Sequence, residues 1–195
     1  AFFLLHFPVF SETFVSKEIL NLQLLDVEGL IVCEKRNYKP PFHPHINDIK
    51  FPIIEISQKI FSKTFFRTIK AHFYWLTKNP IGYLKSIKIF FSFFSYHHFR
   101  VFIKSPLLAK KLINQNLSLI YVHEADSPCL YALICAQLLN IPTGIIIHTQ
   151  YLFYQNKYLS KKILYANFII FQSRYSLLQC KRITRLSKKY FSKCY

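Results

Sequence analysis

Two histidines stand where this chain is best placed to do chemistry. His123 follows the apolar run Leu119–Val122, and His148 follows the run Thr143–Ile147. A histidine at the carboxyl end of a buried parallel strand has its backbone held by the sheet and its ring in the crevice beyond. From there it can donate a hydrogen bond to a hydroxyl or a phosphate oxygen, or stabilise charge on a departing group. Asp126 lies close enough to His123 to line the same cleft, and Thr149 follows His148 directly. A third polar group, Ser11, Glu12 and Thr13, sits on the turn after the apolar run Phe2–Leu5. Each has a plainer role open to it. His123 can be a strand-end histidine bonded to backbone. Ser11 can serve only as a helix cap. Glu12 can simply favour the positive end of a helix. His43, His45, His97 and His98 have no partnered carboxylate or cysteine in the sequence, and no metal-ligand set is expected.

Strands alternating with helices would have to position these groups. Phe2–Phe7, Gly29–Cys33, Ile53–Ile56, Leu119–Val122, Gly144–Ile147 and Phe168–Phe171 are short apolar runs. Helical patterns cover Glu12–Leu25, Ile60–Thr77, Ile81–Phe94, Pro106–Gln115, Pro128–Leu139, Leu159–Leu164 and Ser173–Leu186. Continuous apolar strands between helices predict an α/β fold: a Rossmann-like parallel sheet with helices on both faces. The segment Tyr38–Pro52 carries four prolines and reads as loop. The stretch Ser127–Asn156 has no Asp, Glu, Lys or Arg, but Asn140-Ile141-Pro142 and Gly144 divide it. A buried helix followed by a buried strand fits it better than a bilayer span.

Charge and composition narrow the function classes. The 195 residues carry a formal net charge of +17, and 52% are hydrophobic, which excludes a disordered chain. Seven of the nine acidic residues fall between Glu12 and Glu55, and none between Ile56 and His123. So basic a surface attracts an anionic partner: acidic lipid headgroups, nucleotide phosphates or nucleic acid. In the middle of the chain Phe61, Phe65, Ile69, Phe73 and Leu76 recur at helical spacing. Lys59, Lys63, Arg67 and Lys70 lie roughly opposite, and Lys85 and Lys88 follow. This pattern suits an anionic membrane surface, or a core-facing helix with a solvated basic side. The five cysteines form no CxxC pair and read as small buried hydrophobes in a reducing compartment.

Four stretches resemble one family. Phe7-Pro8-Val9-Phe10-Ser11-Glu12-Thr13-Phe14-Val15-Ser16-Lys17-Glu18-Ile19 resembles the F-P-x-x-S-E-T-F-I-x-x-E-I opening of family-4 glycosyltransferases of bacterial polysaccharide synthesis. His123, Ala125, Asp126 and Pro128 match that family's H-F-A-D-x-P, with Glu124 in place of the aromatic. His148, Leu152 and Phe153 follow its T-A-H-A-x-D-I-F, with Thr149 for Ala and Tyr151 for Asp. Ala166-Asn167-Phe168 and Ser173-Arg174-Tyr175 resemble its A-D-F-x-x-x-x-S-E-Y, with Asn167 for Asp and Arg174 for Glu.

The resemblance implies one half of a GT-B fold, the acceptor-side domain, over residues 1–180. A basic amphipathic helical insert at about 57–105 and a basic tail or linker at 181–195 complete the chain, and no donor-binding domain is present. Its implied activity is sugar transfer from a nucleotide-sugar donor, with retention, to a polysaccharide or lipid-linked glycan. His148 is the implied catalytic residue; Ser11, Glu12, Thr13, His123, Asp126 and Thr149 are implied acceptor-binding groups. The domain itself would bind no cofactor; the nucleotide-sugar donor would sit on the missing domain. Lys59, Lys63, Arg67, Lys70, Lys85 and Lys88 would face an anionic membrane, placing the protein in the cytoplasm at the inner face of the plasma membrane. No nucleic acid is expected as partner. The alternatives are a basic nucleic-acid-binding module and a non-catalytic remnant.

Overall fold

The computed structural model describes residues 1–56, 65–123, 127–154, 158–192 and 194. Six strands form one sheet: β1 (Phe2–Phe7), β2 (Ile31–Arg36), β3 (Ile53–Glu55), β4 (Ile120–His123), β5 (Thr143–Ile147) and β6 (Phe168–Phe171). Every pairing is parallel, in the order β3-β2-β1-β4-β5-β6. The chain therefore winds outward from β1 to β3, crosses back beside β1, and winds outward again. The reversal falls between β1 and β4. Beyond the carboxyl ends of such a pair the connecting loops part, leaving a crevice.

Alternate residues of each strand go to opposite faces, and both faces are packed. On one side Phe3, Val32, Val122, Ile145 and Ile169 meet a helical layer. That layer contains α2 (Phe65–Lys78), α3 (Pro80–Ser92), α4 (Tyr96–Leu112), α5 (Ser127–Leu139) and α7 (Leu159–Tyr165). On the other, Phe2, Leu4, Ile31 and Cys33 pack against Val15 and Ile19 of α1 (Thr13–Leu24). A 3₁₀ turn over Pro44–Asp48 adjoins α1, where His45 Nε2 meets Ser16 Oγ at 2.7 Å. The α/β, Rossmann-like sheet with helices on both faces is thus present.

The expected insert at about 57–105 falls partly on residues 57–64, outside the described residues, and partly on the helices over 65–112. These helices are the crossover from β3 to β4, and Trp75, Ile89, Phe93, Val101, Leu108 and Leu112 belong to the same core as α5 and the strands. The third of them starts ten residues before the expected Pro106, at Tyr96, because Ser95 caps it by accepting from His98 N at 3.3 Å. Pro106 lies inside this helix, and its carbonyl accepts a 2.8 Å hydrogen bond from Trp75 Nε1. Asn79 joins α3 to α5. Its Oδ1 accepts from Gly82 N at 2.9 Å, while its Nδ2 donates to the carbonyls of Gln137 and Leu138. Gly82 is needed there: a Cβ would stand 2.2 Å from Gln137 O.

Other boundaries differ from the sequence expectation. β2 runs through Glu34, Lys35 and Arg36, since Lys35 and Arg36 still pair with His6 and Phe7. The uncharged stretch after Ser127 divides into α5, β5 and a short helix, α6 (Thr149–Tyr154), which the sequence reading had not placed. No helix among the described residues is long and apolar enough to cross a membrane. Lys181–Thr184, assigned to a tail, end α8 (Arg174–Thr184), which is capped by Ser173. Beyond it Phe191 is buried under Lys181, and Cys194 bridges Ile169 at the outer edge of β6. Cys33, Cys129, Cys135 and Cys180 are buried, and none of them is in a disulfide.

Candidate functional site

His123 ends β4 and His148 follows β5. These strands are neighbours, with His123 in register with Ile146. The two rings come together, 6.0 Å between centroids and 18° between planes. Both side chains are buried, at 3% and 6% exposure. From the first helix Phe14 reaches over them, 4.7 Å from the His148 ring and 6.3 Å from that of His123. One turn further along the same helix face, Glu18 brings Oε2 to 3.2 Å from His123 Nε2. Tyr121 and Phe2 also lie against His123, 5.2 and 6.4 Å from its ring.

Polar satisfaction here is incomplete. Neither ring nitrogen of His123, nor Nε2 of His148, makes a hydrogen bond among the described residues. The Glu18 contact with His123 is close but not aligned as a hydrogen bond. A buried polar atom without a partner costs roughly 1–3 kcal/mol, so His123 Nδ1 and His148 Nε2 mark a place where a ligand or water gains by binding. Burial, and secondarily the neighbouring His123, hold the His148 imidazole below its ordinary pKa of 6.5, while Gln172 and Glu18 pull the other way. His148 is therefore a neutral imidazole at neutral pH, able to donate from one nitrogen and accept at the other. Burial, then the charge and hydrogen bond of Glu18, push the Tyr121 phenol well above its usual range.

The other residues singled out in the sequence divide. Ser11 and Glu12 lie on the turn between β1 and α1, at the same carboxyl edge, and Thr13 opens the helix. Ser11 is exposed and does not cap it; Glu12 holds the cap position, with no side-chain capping bond. Phe14 is the residue of this segment that meets the histidines. Thr149 turns its hydroxyl to Ser176 Oγ at 2.6 Å, tying α6 to α8. Asp126 lies outside the described residues, as do Lys59 and Lys63. Arg67, Lys70, Lys85 and Lys88 are exposed.

Sequence reasoning gave no site role to Phe14, Glu18 or Tyr121. The i, i+4 spacing of Phe14 and Glu18 was the available signal. It also passed over a second polar group at the carboxyl edge. There Ser127, at the start of α5, donates to Glu34 of β2, and His97 Nε2 is 3.2 Å from Ser127 Oγ. Among the described residues no group of His, Cys, Asp and Glu side chains is arranged to hold a metal ion.

A cavity of about 950 Å³ opens on the α1 side, near the amino ends of the strands, with Phe168, Ile170, Tyr121 and Glu18 among its walls. Its walls include neither histidine. The two buried imidazoles lie at the carboxyl ends of β4 and β5, beside the β1–β4 reversal that Phe14 and Glu18 of α1 border, and we assign the candidate site there. The chain matches no protein-family model, and no curated protein is a significant match.

Proposed function

We propose that this domain is the acceptor-side half of a GT-B glycosyltransferase similar to family 4, acting on a polysaccharide or lipid-linked glycan. The observation that carries the reading is the meeting of the His123 and His148 imidazoles at the carboxyl edge of β4 and β5, with ring nitrogens that make no hydrogen bond among the described residues. Phe14 and Glu18, His123, and His148 come from three separate stretches that carry the family resemblance, and they gather in one crevice.

In this reading neutral His148 hydrogen-bonds an acceptor hydroxyl or an oxygen of the departing diphosphate. There its contribution grows as charge develops. Glu18 beside His123 orients that second imidazole toward an acceptor hydroxyl, and Phe14 excludes water from both rings. The nucleotide-sugar donor is held by a partner domain carrying the donor residues. The acceptor class places the protein peripherally at the cytoplasmic face of an anionic membrane.

The test is turnover by an enzyme uniting this domain with a donor-binding domain. Loss of a transition-state hydrogen bond costs about 10²–10³ in kcat. His148→Ala is expected to lower kcat by that order with little change in donor KM, and unchanged turnover would remove His148 from the mechanism.

A further inference from the structure

α2 and α3 form a helical hairpin about Asn79, and each sends a narrow face inward. α2 buries Thr68, Ala71 and Trp75; α3 buries Gly82, Ser86, Ile89 and Phe90. The apolar stripe of α2 that periodicity singled out does not face the core. Phe66, Phe73, Ile81, Leu84, Phe91 and Phe94 are each at least 60% exposed, and Ile69 and Leu76 are exposed beside them. Phe91 and Phe94 stack on one another, 6.4 Å apart at 11°. Arg67, Lys70, Lys78, Lys85 and Lys88 are exposed on the same two helices, flanking the stripe rather than opposing it, and no acidic residue occurs between Ile56 and His123.

Large apolar side chains at this density are unusual on a surface that only meets water. The composition decides what covers them. Half of the face, Ile69, Leu76, Ile81 and Leu84, is aliphatic and gives nucleobases no ring to stack on, whereas single-strand binding stacks successive bases on aromatic rings. Protein interfaces are depleted in lysine. An apolar stripe edged by lysine and arginine matches the boundary between acyl chains and anionic headgroups. At 1.5 Å per residue, the 14 residues of α2 and 13 of α3 present two rods of about 20 Å that can lie in that boundary.

We infer that the outer face of the α2–α3 hairpin inserts into an anionic lipid surface, with Phe73 and Phe91 in the acyl boundary and the lysines on the headgroups. The inference rests on the membrane placement proposed above and is independent of sugar transfer.

The test uses the full chain with vesicles of phosphatidylcholine alone or with a third phosphatidylglycerol, at low and molar salt. Partitioning is expected onto the anionic vesicles only. It should be weakened by salt, and lowered about fivefold for each lysine removed. Phe73→Asp with Phe91→Asp is expected to abolish it. Both side chains are exposed, so an unchanged unfolding midpoint identifies a folded variant. Phe91→Trp adds a surface indole to a chain whose one tryptophan, Trp75, is buried. Its emission is expected to be quenched by lipids brominated on the acyl chain. No partitioning onto phosphatidylglycerol overturns both the membrane placement and this surface. Partitioning that survives the paired aspartates, or lacks quenching, keeps the placement and overturns the surface. Tighter binding to random oligonucleotides than to anionic vesicles overturns both.

Discussion

Removing the Phe14 ring separates site chemistry from fold stability. Phe14 is 41% exposed, so about three-fifths of its surface is covered. Full burial of such a ring contributes ~1.5–3 kcal/mol, and Phe14→Ala should forfeit about 1–2 kcal/mol of it. Alanine returns roughly 0.5 kcal/mol as the better helix former, leaving a net loss of about 1 kcal/mol. The effect on His148 is the informative one. Phe14 is 4.7 Å from that imidazole, and burial is the main reason its pKa lies below 6.5. Water admitted by the substitution should raise the His148 pKa toward its ordinary value.

The sign for stability follows from linkage. A histidine whose folded pKa is depressed is protonated first in the unfolded chain, so stability is lost as pH falls from 6.5 through the folded value. Phe14→Ala should narrow that window and flatten the acid-side loss. The assay is a pH titration of the histidine Cε1 protons by NMR, beside urea unfolding at pH 5 to 8. An unmoved His148 titration in a folded variant would refute the claim that Phe14 keeps water from the site. A loss above ~3 kcal/mol would show that Phe14 belongs to the core.

Two further substitutions probe neighbouring parts of the structure. Asn79→Ala removes the cap of α3 and two donors to the end carbonyls of α5, and should cost about 2–3 kcal/mol in urea unfolding. Glu18→Gln keeps the shape of the side chain but removes the charge beside Tyr121. Its phenol should then ionise at lower pH in an ultraviolet difference titration, because a nearby carboxylate opposes the phenolate.

The sheet was legible because parallel strands buried on both faces must be continuous apolar runs, and all six were found within a few residues. The errors have physical causes. The charged Glu34–Arg36 mark the end of the apolar run Gly29–Cys33, but the long register of β1 with β2 carries the strand through them. Pro106 resembles a helix start, since its missing N–H is harmless there, yet Ser95 starts that helix earlier. Periodicity shows that α2 has an apolar stripe but not what the stripe meets. Thr68, Ala71 and Trp75 pack inward because Trp75 finds the Pro106 carbonyl, and Phe66 and Phe73 are left outside.

The two histidines were legible from their place at strand ends. Phe14, Glu18 and Tyr121 were not, because their roles depend on how the first helix lies across β1 and β4. Thr149 was legible as the residue after His148, but its 2.6 Å contact with the Ser176 hydroxyl depends on how α8 lies beside α6.

The account depends most on acceptor recognition in the His123–His148 crevice. Titrating the isotope-labelled chain with glycan oligosaccharides, while following the imidazole signals of both histidines by NMR, tests it most directly. The account predicts saturable shifts of these two signals, a weakened shift at His123 in His148→Ala, and none at exposed His97. Shifts confined to signals outside this crevice, or none with any acceptor class, would contradict it.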